Sequence, residues 1–137
     1  MKRTFYFILL PILLLFLQGD AAAQAKQNAK ISSVKQKGNM VYVTVTSAKE
    51  FYMGNNKHIL YIGNQLFDLY DQENEEGKGT LRFHIPATAY KALPNGAPVY
   101  LSYGELYIED GETAGDVCKQ DLCPCWSLGK LNKRTQK

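Results

Sequence analysis

Valine recurs at every second position of Met40-Val-Tyr-Val-Thr-Val-Thr46, with Tyr42, Thr44 and Thr46 between. Only an extended chain sends successive side chains to opposite faces, so this run predicts a strand with one buried and one solvated face. A helix would scatter the three valines around its circumference. Such a strand needs a second layer of matching pattern to cover its apolar side. The chain supplies candidates for that layer. Thr80–Ile85 turns Leu81, Phe83 and Ile85 inward and Arg82 and His84 outward, and Val99–Tyr103 turns Val99, Leu101 and Tyr103 inward.

Further strands are expected near Ile31–Gln36, His58–Ile62, Gln65–Tyr70 and Glu105–Glu109, separated by turn chemistry. Lys37-Gly38-Asn39 links the first two strands, and Gly63-Asn64 has the two-residue spacing of a tight hairpin. Asn74–Gly79 is read as a longer loop. Pro86 lacks a ladder donor and ends its strand, and Ala87–Leu93 has the composition of a helical turn or two before Pro94-Asn95-Gly96. Many short strands at this spacing predict an all-β chain built as a single antiparallel β-sandwich.

Three consecutive stretches carry a resemblance: Leu81-Arg-Phe-His-Ile-Pro86, Leu93-Pro-Asn-Gly96 and Pro98-Val-Tyr-Leu-Ser-Tyr-Gly104. They resemble the penultimate strand, short turn and final strand of immunoglobulin-like domains, of the fibronectin type III and IPT/TIG-like kind in exported bacterial proteins. The resemblance spans residues 30–104. It lacks the cysteine pair and buried tryptophan of antibody domains, because Trp126 and every cysteine lie further on. It implies an immunoglobulin-like sandwich and an adhesion, interaction or accessory role; architecture of this kind carries no activity of its own.

The N-terminus reads as a cleavable signal peptide, residues 1–25. Lys2 and Arg3 precede an apolar run from Phe5 to Leu17, and Ala21-Ala-Ala-Gln-Ala25 offers small-x-small cleavage after Ala23 or Ala25. The run is shorter than the roughly 18–20 residues that span a bilayer, and Pro11 interrupts it. No cysteine lies near the cleavage site, so a lipoprotein anchor is not expected. The expected product is periplasmic or secreted, with no transmembrane segment after cleavage. Of 16 basic and 13 acidic residues, the leader takes Lys2, Arg3 and Asp20, leaving a net charge of +2. So even a balance argues against nucleic acid as a partner. The remaining length suits one domain, assigned to residues 26–110 and followed by a cysteine-containing basic tail, residues 111–137.

Catalytic constellations are missing from the sequence: neither Gly-x-Ser-x-Gly nor His-Glu-x-x-His occurs, and no phosphate-cradling glycine loop does. No catalytic residue, resident metal or cofactor is assigned. Both histidines, His58 and His84, read as solvated surface or turn residues. Neither acidic segment, Asp68–Glu76 or Glu109–Glu112, has the spacing of a calcium loop. What remains is contact chemistry. Tyr42, Arg82, His84 and Tyr100 fall on outward strand positions and form a candidate platform for a protein or cell-surface partner, with Trp126 beyond them.

All three cysteines fall within Cys118-Lys-Gln-Asp-Leu-Cys123-Pro-Cys125. An odd number in an oxidising compartment leaves one sulfur over. One expectation is a local disulfide, Cys118–Cys123 or Cys118–Cys125, contributing about 2–2.5 kcal/mol by loop entropy, with the third thiol free or in an intermolecular disulfide. The other is a metal-binding or thiol-redox cluster of Cys118, Cys123 and Cys125. Trp126, Leu128 and Leu131 form an apolar set able to fold back on the sheet.

Overall fold

A computed structural model describes residues 29–119 and 125–133. The predicted leader and Cys123 lie outside the described residues. The elements in chain order are β1 (Ala29–Lys37), β2 (Met40–Ser47), β3 (His58–Ile62), β4 (Gln65–Glu75), β5 (Lys78–Pro86), α1 (Ala87–Ala92), β6 (Pro98–Tyr103), α2 (Ala114–Cys118) and β7 (Cys125–Lys130). No helix among the described residues is long and apolar enough to cross a membrane.

The chain is antiparallel β, as the alternation predicts, and its seven strands make one sheet in the order β1-β2-β5-β4-β3-β6-β7. Strand β4 makes this possible. Its first residues, 65–68, pair with β3, and residues 69–75 pair with β5, with an irregularity between Leu69 and Asp71. A bulge bends a strand and increases its local twist, and here the sheet curls until β1 and β7, at the two ends of the order, come into contact. The result is a sheet closed onto its own core, where the sequence reading expected two separate layers.

The valine run lines that core as expected. Val41, Val43, Val45, Leu81, Phe83 and Ile85 face Leu60, Ile62, Val99, Leu101 and Trp126 across the curl. Strand β3 departs from alternation: every residue from His58 to Ile62 is buried. The reason is a second cluster on the outside of the sheet, where Ile59 and Tyr61 meet Leu106, Ala114, Val117 and Cys125. A strand covered on both faces reads as a continuous apolar run, and His-Ile-Leu-Tyr-Ile is one.

The cover is a strap formed by residues 105–118. Glu105–Glu109, expected as a strand, is irregular chain within this strap. Asn64, at the β3–β4 hairpin, grips the strap twice: its Nδ2 donates to the Glu112 carbonyl at 3.0 Å, and the Ala114 N–H donates to its Oδ1 at 2.8 Å. Gly63, at φ +61°, supplies the first central residue of that hairpin. The Leu106 N–H donates to the Tyr61 hydroxyl at 2.8 Å. A reciprocal capping box between Thr113 and Asp116 starts α2. Its last residue, Cys118, is disulfide-bonded to Cys125 at the start of β7, with the two Cα atoms 5.5 Å apart.

Two further sequence expectations are revised. The sheet does not end near residue 110, because β7 pairs with β6 from Ser102↔Cys125 to Pro98↔Lys130. Leu131 then continues the seam through paired bonds with Gly96 and Ala97, and Lys133 donates to Asn95 and to the Lys91 carbonyl. The expected loop at Asn74–Gly79 is a tight hairpin, with β4 running to Glu75 and β5 starting at Lys78.

Candidate functional site

The outer face of β1, β2, β5 and β4 carries a cluster of aromatic and charged side chains. Val41, Val43 and Val45 must point inward, so Tyr42, Thr44 and Thr46 point out; register then fixes their neighbours. Tyr42 lies opposite Lys35 on β1 and His84 on β5, and Thr44 lies opposite Ser33 and Arg82. Thr46 lies opposite Lys30 and Thr80, and Thr80 faces Glu73 on β4. Face and order follow from the pleat.

Tyr42, His84 and Tyr70 form an aromatic row across three adjacent strands. The Tyr42 and His84 rings meet edge to face, 4.4 Å between centroids, and Tyr70 stacks on His84 at 3.6 Å with 21° between planes. Lys37 Nζ stands 6.0 Å from the Tyr42 centroid, at the limit of a cation–π contact. Below the row, Arg82 donates from Nη1 to Asp71 at 2.6 Å and from Nη2 to Glu73 at 3.2 Å. The hydrogen bond to Glu73, followed by the pull of Asp71, raises the guanidinium pKa still further. The two contacts hold the Arg82 fork beside β4.

Tyr70 is the member that sequence reasoning missed. It is 67% exposed, and the bulge between Leu69 and Asp71 puts it on the same face as Asp71. A signal was available in the alternation. Phe67 and Leu69 are apolar, Asp71, Glu73 and Glu75 are acidic, and all five share one parity. They cannot share one face, so the pleat must slip by one residue between 69 and 71.

Of the residues that the sequence marks for contact, the structure brings Tyr42, Arg82 and His84 together and places Tyr100 and Trp126 elsewhere. Tyr100 is half-buried on the far side of the sheet, packed against the strap. A Cβ at Gly115 would stand 2.6 Å from its hydroxyl, so a larger residue on α2 would have to displace the Tyr100 ring tip. Trp126 is 8% exposed and belongs to the core, which corrects the expectation that it meets a partner at the surface. Its apolar bulk gains more from burial inside the curled sheet than from a place on a tail.

His58 is corrected too. It is 2% exposed, with Phe51, Tyr103 and Trp126 rings at 5.3, 5.2 and 6.4 Å. Burial pushes its pKa down to about 4, against an opposing hydrogen bond to the Gln72 side chain, which favours the protonated ring. Its Nδ1, with Nε2 of Gln72 and Nε1 of Trp126, has no protein hydrogen-bond partner. The loop before it is clamped by Asn74, which exchanges two hydrogen bonds with the Phe51 backbone. Among the described residues no group of three or more His, Cys, Asp and Glu is placed to hold a metal ion.

A scan against protein-family models found no match to this chain, and neither did searches among curated proteins and solved structures.

Proposed function

We propose that this chain is an exported, non-catalytic contact module that meets a protein or cell-surface partner through the outer face of β1, β2, β5 and β4. The carrying observation is the aromatic row: three rings from three strands, held in mutual contact on a rigid sheet, with Tyr70 exposed beyond His84. Rigid aromatic side chains with polar tips lose little entropy on binding, and a sheet holds them more firmly than a loop. The signal-peptide pattern supports export, and the resemblance of residues 30–104 to immunoglobulin-like modules supports a contact role over a catalytic one. The disulfide between Cys118 and Cys125 fits the same reading, because it fastens the strap across the sheet's opposite side.

The test is site-specific photocrosslinking in the native cells. A photoreactive residue replacing Thr44, in the middle of the face, should give a discrete adduct, and one replacing Tyr107, 81% exposed on the strap, should give none. Adducts from Tyr107 with none from Thr44 would overturn the reading.

A further inference from the structure

The outer face divides by charge. Its β1 edge carries Lys30, Lys35 and Lys37, its β4 edge carries Asp71, Glu73 and Glu75, and the aromatic row crosses between them. A basic edge and an acidic edge on one face complement the same face turned over. Resting on the reading of this face as a contact surface, we propose that its partner is a second copy of this chain, docked face to face about a two-fold axis parallel to the strands.

The register decides the axis. A two-fold axis parallel to the strands, running between β2 and β5, lays β1 of one copy over β4 of the other and β2 over β5. Each transverse row then meets its own reverse. In the row Lys30–Thr46–Thr80–Glu73, Lys30 of each copy meets Glu73 of the other. In the row Lys35–Tyr42–His84–Tyr70, Lys35 meets Tyr70 and Tyr42 meets His84, which are cation–π and ring contacts. In the row Ser33–Thr44–Arg82–Asp71, hydroxyls meet Arg82 and Asp71. No row sets like charges opposite each other. An axis across the strands would lay β1 on β1, lysine against lysine, and is excluded by repulsion. Self-complementarity of this sort is what an isologous two-fold interface requires, and aligned packing of two sheets is a common arrangement.

Size sets the strength. Four strands about 4.8 Å apart and about eight residues long at ~3.4 Å each present roughly 500 Å² per copy, or about 1,000 Å² in all. That lies at the lower end for specific interfaces. The dimer is therefore reversible and concentration-dependent, and its charged edges make it sensitive to salt.

Sedimentation velocity on the exported chain tests this directly. The expected result is a reversible dimer by about 100 µM at low ionic strength, loosened several-fold by about 0.5 M salt. Y70A should weaken it about tenfold or more, since both copies lose an anchor. K30E alone and E73K alone should each yield monomer, and an equimolar mixture of the two should regain the dimer, because both edge pairs become attractive again. Regain on mixing cannot come from unfolded chains, and far-UV circular dichroism checks each variant. A wild-type chain that stays monomeric at low salt overturns the proposal, as does a dimer that K30E, E73K and Y70A leave unchanged. A monomer that still gives a Thr44 adduct with a different protein overturns the second copy as partner and leaves the contact face standing. A salt-sensitive dimer with no Thr44 adduct in cells would count against the broader reading instead.

Discussion

The two histidines sit in similar company and do opposite things. His84 lies between Tyr42 and Tyr70 on the outside of the sheet, and His58 lies among Phe51, Tyr103 and Trp126 inside it. Ring count does not separate them; access to water does. The inner group must stay neutral and packed, so its rings hold the fold. The outer group keeps its polar tips wet and an open ring face, so its rings are free to meet something else. An aromatic cluster in a small sheet is thus assigned a role by the side of the pleat it lands on.

The largest way to break this contrast is to empty the inner cluster. Trp126→Ala should cost about 3–5 kcal/mol of stability, measured by denaturant unfolding, because Trp126 packs in the core next to His58. Acid is the next lever. The folded pKa of His58, about 4, lies below the ordinary value near 6.5, so the unfolded chain binds a proton that the folded chain refuses. The associated stability is complete above pH 6.5 or so and falls progressively as pH drops toward 4, by roughly 3 kcal/mol. Urea midpoints across that range should show the slope, and His58→Gln should flatten it.

The disulfide comes third. Cys118→Ser should cost about 2 kcal/mol and loosen the strap over β3, read as faster amide exchange at Ala114 and Val117. The smallest effects on stability belong to the outer face. Tyr70→Ala and Arg82→Ala should each shift unfolding by less than about 1 kcal/mol, since Tyr70 is largely exposed and exposed ion pairs contribute little. If the proposed contact is made through this face, Tyr70→Ala should nevertheless remove most of the Thr44 adduct.

The sequence laid out some of this plainly and hid the rest. Alternation in Met40–Thr46 and Thr80–Ile85 gave both inward and outward positions, because period-two patterning is a local property of the pleat. The role of His58 was hidden because its cover comes from Phe51, Tyr103 and Trp126, far apart in the chain, and no local pattern brings them together. The burial of β3 on both faces was hidden for the same reason: the strap that covers it starts more than forty residues later. Tyr70 was legible in principle, through the parity conflict in β4. The cysteine segment read as a tail because its partner strand, β6, carries no mark of an unfilled edge.

The central claim is that the outer rings make contacts and the inner rings make stability. Parallel measurement on His84→Ala and His58→Ala, each with the photoreactive residue in place of Thr44, tests it most directly. The account predicts that His84→Ala keeps its thermal midpoint within a few degrees and loses most of its adduct, and that His58→Ala lowers the midpoint well beyond that. Full adduct yield from His84→Ala, or equal destabilisation of the two variants, would contradict it.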